Sequence, residues 1–133
     1  MIKLKDLLER KEDSDDTAGI LYSYFNNYLL CLTERSQVWN VPKGHIHVDE
    51  TPLEGALREF TEETQIILNG TPEFVKAYNK PNGGKIHIFK LEGEKRFIPH
   101  LDHEHTDWGY FTKDKLPSPM QEFVADVLEN HVD

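Results

Sequence analysis

Two apolar, aromatic-rich runs occupy residues 17–25 and 28–33, and the pair Asn26-Asn27 between them tolerates the positive φ of a tight hairpin. The pattern predicts two paired strands. A second hairpin is expected where residues 74–78 and 85–91 flank Pro81-Asn82-Gly83-Gly84, with Ile86, Ile88 and Phe89 supplying its buried side. A further strand is predicted through Trp108-Gly109-Tyr110-Phe111. Leu4, Leu7 and Leu8 are spaced for a helical turn or two near the start, a pattern too brief to define a helix.

Helices are predicted at two places that share one N-terminal signature. Thr51-Pro52-Leu53-Glu54 and Ser118-Pro119-Met120-Gln121 each offer a hydroxyl cap, a proline at the first helical position and a Glu or Gln at the third. Met120, Phe123, Val124, Val127 and Leu128 then give the second helix one apolar face, which predicts a docking role without chemistry. In the first, the apolar stripe Leu53, Ala56, Leu57 and Phe60 is joined by the acids Glu59, Glu62 and Glu63. With Glu59 at zero and about 100° per residue, Glu63 falls at about 40° and Glu62 at about −60°, while the stripe spans about 60° to 160°.

Length and composition narrow the function classes. The 133 residues suit one domain, expected to run over 1–133, with no repeat, low-complexity stretch or linker. No run approaches the roughly 18 to 20 apolar residues of a membrane span. Met1-Ile2-Lys3-Leu4-Lys5-Asp6 leads into charged residues rather than an apolar signal core, so a cytoplasmic location is expected. The lone Cys31, inside Tyr28-Leu29-Leu30-Cys31-Leu32, is expected in the core. A formal net charge of −9 opposes bulk nucleic-acid binding, so any polyphosphate substrate needs local positive charge from placed Lys or Arg residues or from metal ions.

Like charges three or four residues apart destabilise a helix by a few tenths of a kcal/mol per pair, and a divalent cation would reverse that. From the helix alone, a solvated acidic face with Glu54/Arg58 and Arg58/Glu62 ion pairs is the better explanation. The segment upstream decides between them. Trp39-Asn40-Val41-Pro42-Lys43-Gly44-His45 forms a loop that delivers a lysine and exposed backbone close to the helix.

Residues 44–66 resemble the box of the Nudix hydrolase family, G-x5-E-x7-R-E-U-x-E-E-x-G-U, where U is a bulky apolar residue. Gly44, Glu50, Arg58, Glu59, Phe60, Glu62, Glu63 and Ile66 stand at the required spacing. Gln65 replaces the second glycine, just past the helix where glycine commonly adopts a left-handed cap, a substitution costing on the order of 1 kcal/mol. Asp49 stands where many relatives carry glycine. The likeness continues in Thr17-Ala18-Gly19-Ile20-Leu21, in Glu104-His105-Thr106-Asp107-Trp108 and in Lys115-Leu116-Pro117.

The resemblance implies an α/β fold, an α/β/α sandwich with a mixed β-sheet between helices, and a pyrophosphatase that uses Mg²⁺, with Mn²⁺ as a substitute. It implies metal ligation by Glu59 and Glu63, with Glu62 a further ligand or base and the Lys43 carbonyl contributing. Glu50 and Arg58 are similar to the pair that locks loop to helix, and Gly44 to the glycine that opens the box. The mechanism implied is attack of water on phosphorus, Mg²⁺ lowering the water's pKa, with Glu59, Glu62 or Glu104 taking the proton. Lys43 and His45 are candidate phosphate contacts. His100-Leu101-Asp102-His103-Glu104-His105 also raises a His-rich transition-metal site, although it lacks cysteine partners and a spacing such as His-Glu-x-x-His.

Trp-x-x-Pro-Lys-Gly-His at 39–45 is similar to the segment of diadenosine tetraphosphate hydrolases, so a small nucleotide of the dinucleoside polyphosphate class is the expected substrate. Nucleoside triphosphate or RNA 5′ pyrophosphohydrolysis are the alternatives, as is a silent nucleotide-binding module. Tyr22, Tyr24, Tyr78, Trp108 and Tyr110 could stack on a base, a role strand aromatics fill less often than core packing.

Overall fold

The computed structural model describes residues 12–132, so the turn expected around Leu4, Leu7 and Leu8 lies outside the described residues. The first hairpin pairs β1 (Asp13–Tyr24) with β2 (Asn27–Thr33). Its turn sits one residue earlier than expected, at Phe25-Asn26, with φ of 44° and 62°. Asn27 instead opens β2 opposite Tyr24, and its side-chain amide donates to the Phe25 carbonyl at 2.9 Å.

Strand β3 (Trp39–Asn40) pairs with β2, and β4 (Lys43–His47) lies antiparallel to β1. The second hairpin joins β5 (Glu73–Asn79) to β6 (Lys85–Gly93), and β6 runs parallel to β1 from Thr17↔Ile86 to Tyr24↔Gly93. Strand β7 (His105–Phe111) runs antiparallel to β2. Parallel and antiparallel pairs together make one mixed, seven-stranded sheet.

Helix α1 (Pro52–Thr64) and helix α2 (Glu122–Asn130) pack on opposite faces of it. Alternation along β1 sends Ala18, Ile20 and Tyr22 toward Ala56 and Phe60 of α1, and Leu21 toward Val124, Val127 and Leu128 of α2. The same alternation corrects the expectation for β6. Ile86 and Ile88 face α2, whereas Phe89 packs on the α1 side. Among the described residues, no helix is long and apolar enough to cross a membrane.

The box at the start of α1 is formed in full: Thr51 Oγ1 accepts from the Glu54 N–H at 3.2 Å, and the Thr51 N–H donates to Glu54 Oε1 at 2.8 Å. The matching box expected at Ser118 does not form. Trp39 N–H donates to the Pro119 carbonyl at 2.9 Å, and Gln121 N–H to the Trp39 carbonyl at 3.1 Å. Residues 119–121 therefore run alongside β3, and α2 starts at Glu122 with no side-chain cap on Gln121. Strand pairing has outcompeted the local helix signal there.

Gln65 closes α1 in the left-handed region, φ 60° and ψ 24°, its N–H donating to the Thr61 carbonyl at 2.7 Å. A glycine adopts this conformation without the Cβ clash. Gln65→Gly is accordingly expected to raise the thermal midpoint by roughly 2–4 °C. A lowered midpoint in a melting curve would show that the glutamine side chain is held by contacts of its own.

Candidate active site

The angular positions of the three acids on α1 decide their surroundings. Glu63 lies nearest the apolar stripe and is buried, with a side-chain exposure of 3%; Glu62, on the far side, is 57% exposed, and Glu59 between them 16%. Strand β4 faces them and is held in register on β1 by the pairs Gly19↔Lys43, Ala18↔Gly44 and Thr17↔His45. Each of its first three residues meets the helix through its main chain. The Lys43 N–H donates to the Glu63 carboxylate, Gly44 leaves room where a Cβ would overlap the Glu59 carboxylate, and the His45 carbonyl accepts from Arg58 Nη2 at 2.9 Å.

Arg58 occupies the centre of this seam. Its Nε and Nη2 grip Glu50 Oε2 and Oε1 at 2.8 and 2.9 Å, while Nη1 donates to Glu59 Oε1 at 2.9 Å and Glu62 Oε2 at 3.1 Å. With the His45 carbonyl, that engages every donor position of the planar fork. Glu50 Oε1 also accepts from the His47 N–H at 2.8 Å, closing the turn before α1. The Arg58 guanidinium holds the Glu50 carboxyl below its usual range, and Glu50 in turn raises the guanidinium's affinity for its proton.

Glu63 is the opposite case. Burial, and then the Glu59 carboxylate within hydrogen-bonding reach, push its proton affinity far above that of an ordinary carboxylate. Its Oε2 has no hydrogen-bond partner. A buried, unpaired carboxylate oxygen beside a second carboxylate is a site short of positive charge, and an all-oxygen donor set of this kind fits a hard divalent cation. Glu59 and Glu63 would hold it.

Lys43 heads β4 with its ammonium on the α2 side, 5.9 Å from the Phe123 ring centroid, and burial lowers its proton affinity against the pull of Glu63, Glu104 and Glu59. The His45 side chain is exposed at the rim. Glu104 is exposed as well, its backbone carbonyl accepting from the Glu34 N–H at 2.9 Å. Cys31 is fully buried, as expected of a core residue, and burial raises its thiol's proton affinity.

From the run at 100–105, which the sequence raised as a His-rich transition-metal site, the structure brings His105 to Glu63 with Asp102 on the other side of the ring. The His100 N–H donates to the Thr64 carbonyl at 2.8 Å, which ties this segment to the end of α1. His105 Nδ1 then lies 2.7 Å from Asp102 Oδ1, and its Nε2 3.3 Å from Glu63 Oε1. The usable sequence signal was the Asp-x-x-His spacing at the head of an aromatic strand. Of the aromatics, Tyr22 and Tyr110 donate their hydroxyls to the Lys95 and Phe97 carbonyls and Tyr78 to the Asp126 carboxylate, and Tyr78 also borders a cavity of about 680 Å³ with Asn79, Ile86, Met120 and Phe123.

With this geometry in place, the family follows: the NUDIX domain family model matches residues 15–131, and the chain belongs to the Nudix family. It is a Nudix pyrophosphohydrolase acting on pyrophosphate bonds in nucleotide-linked substrates. The fold is similar to that of a MutT Nudix hydrolase from Burkholderia pseudomallei, at 21% identity and a TM-score of 0.73 over 86% of this chain and 95% of that one. An Ap4A hydrolase from C. elegans aligns at 20% identity and a TM-score of 0.63, covering 74% of this chain and 80% of its own. A bifunctional NMN adenylyltransferase/ADP ribose pyrophosphatase from Francisella tularensis, complexed with AMP and a Mn ion, aligns at 18% identity and a TM-score of 0.67, over 94% of this chain and 44% of that protein.

Proposed function

We propose that this chain cleaves a dinucleoside polyphosphate such as diadenosine tetraphosphate, with Mg²⁺ held by Glu59 and Glu63. The observation that carries the metal-dependent chemistry is the buried Glu63 with its unpaired oxygen beside Glu59. Support for the substrate class comes from the Trp39-to-His45 segment and from the likeness to the Ap4A hydrolase fold. The cavity bordered by Tyr78 and Phe123, the latter with its ring centroid 5.9 Å from the Lys43 ammonium, offers aromatic surface for a base.

Glu59 and Glu63 would hold the divalent ion, which there would neutralise charge on the phosphate oxygens and lower the pKa of the attacking water. Arg58 fixes the Glu59 and Glu62 carboxylates while Glu50 anchors it to the loop. The Lys43 carbonyl adds an oxygen donor, and the Lys43 ammonium and the His45 imidazole take phosphate charge at either side. Glu62, exposed but tied to Glu59 through Arg58 Nη1, receives the proton from water; Glu59 and Glu104 are the competing acceptors.

Phosphate-product analysis on a panel of dinucleoside polyphosphates, nucleoside triphosphates, nucleotide sugars and 5′-triphosphorylated RNA, with and without Mg²⁺, tests this reading. Mg²⁺-dependent turnover with the highest kcat/KM on a dinucleoside polyphosphate is expected. A higher value on a triphosphate or RNA end would reassign the substrate, and saturable binding without turnover would mean a silent module. On the best substrate, Glu62→Gln is expected to lower kcat by about 10²-fold and Glu104→Gln far less; the reverse order would move the base to the loop.

A further inference from the structure

The two rings that border the cavity of about 680 Å³ stand on different elements, Tyr78 on β5 and Phe123 on α2, with centroids 5.9 Å apart and planes tilted by 47°. A base that stacks there binds best when the gap between the rings is set in advance, because every side chain ordered on arrival costs affinity. Asp126, one helical turn after Phe123, is where that gap is held. Its Oδ2 accepts the Tyr78 hydroxyl at 2.5 Å and lies 3.7 Å from Lys76 Nζ, so two polar ties run from β5 to α2. The Lys76 ammonium in turn sits 4.9 Å from the Tyr78 ring centroid. On the helix side, Asn130 Nδ2 donates to Asp126 Oδ1 at 2.8 Å, and His131 Nε2 lies 3.4 Å from Oδ2. A hydroxyl that donates to a carboxylate this closely makes a charge-assisted bond, stronger than one between neutral groups. The hydrogen bonds from Tyr78 and Asn130 hold the Asp126 carboxyl below its usual range, so the acceptor stays charged.

We propose that Asp126 is a positioning residue for substrate selection: by latching Tyr78 of β5 to α2 it presets the gap between Tyr78 and Phe123, and so favours polyphosphates that carry a base over bare ones. This rests on the reading of that cavity as the base site. Phe123 also lies 5.9 Å from the Lys43 ammonium, so the ring that faces Tyr78 adjoins the charge assigned to phosphate. Without the latch the Tyr78 side chain regains rotamer freedom, and a base must order it on arrival. That loss falls on binding remote from the scissile bond, hence on KM rather than kcat.

Asp126→Ala in the whole chain, assayed on diadenosine tetraphosphate with Mg²⁺, is expected to raise KM about five- to tenfold and to leave kcat within about twofold of wild type. Calorimetry gives a readout that needs no turnover. Affinity for adenosine 5′-monophosphate should fall by the same factor, while affinity for inorganic tripolyphosphate, which has no base, should not change. Tyr78→Phe keeps the ring and removes the donor, so it should reproduce the loss, and the double variant should bind no more weakly than either single one. Asp126→Asn, whose amide oxygen still accepts the hydroxyl, should recover most of the affinity. Should Asp126→Ala fail to fold, Tyr78→Phe carries the same comparison of the two ligands. Equal weakening of both ligands, additive losses in the double variant, or a wild type that does not bind adenosine 5′-monophosphate would each overturn the proposal. An unchanged KM in Asp126→Ala beside Mg²⁺-dependent hydrolysis overturns the latch and leaves the proposed function intact. Nucleotide binding that depends on Asp126, with no hydrolysis of any substrate, would sink the function and keep the latch.

Discussion

Glu63→Gln is expected to lower kcat by about 10³-fold at saturating Mg²⁺ while raising the stability of the metal-free protein by on the order of 2 kcal/mol. Both effects arise from one carboxylate. The variant keeps the shape of the side chain but removes the need to hold a charge, or a proton, in a buried position beside Glu59. Below the ordinary carboxylate value of 4.5 the folded and unfolded chains both carry the proton, so burial of Glu63 makes no pH-dependent difference there. Above that value the unfolded chain releases it while the folded chain retains it, and the metal-free wild type loses stability as pH rises. Melting curves in a chelator between pH 5 and 8 should therefore show the variant's advantage widening with pH, and saturating Mg²⁺ should cancel it. An advantage independent of pH and metal would show that Glu63 is accommodated without a cation.

Arg58→Ala is expected to lower the thermal midpoint by about 10 °C and to abolish detectable turnover, because it frees Glu50, Glu59 and Glu62 together. Arg58→Lys should recover little of either, since a single ammonium cannot reproduce the bidentate grip on Glu50 alongside the bonds to Glu59 and the His45 carbonyl. The sign of the pH dependence is opposite to that of Glu63. Glu50 is held below its ordinary value of 4.5, so its contribution is fully present above that pH and fades as pH falls through the depressed value. Wild type and Arg58→Ala should converge in acid. A constant gap across acid pH would assign the loss to packing of the Arg58 stem rather than to its charge.

The parts of the fold that could be read from the chain are those whose determinants are local. Thr51, Pro52 and Glu54 lie within one helical turn and act on each other, so the start of α1 was legible. The equivalent signature at Ser118 failed because Trp39, far away in sequence, captures the backbone of residues 119–121. Phe89 was assigned to the wrong face by grouping it with Ile88, its immediate neighbour, which an extended strand must send the other way. In the candidate site, Glu50, Arg58, Glu59 and Glu63 share a short stretch and a fixed spacing. Asp102 and His105 reach Glu63 only through the tie between His100 and Thr64, a contact between main-chain atoms that leaves no mark in the side chains.

Strand β4 serves the helix with a main-chain donor from Lys43, an absent side chain at Gly44 and a main-chain acceptor at His45. Two of these three services come from atoms that every amino acid other than proline possesses. Along this seam the demand on heredity therefore falls on the spacing of residues within the motif more than on lettering. A lineage could exchange the side chains at 43 and 45 with the scaffold of carboxylates left standing, but a single codon gained or lost in the turn between His47 and Glu50 would set every partner one place out.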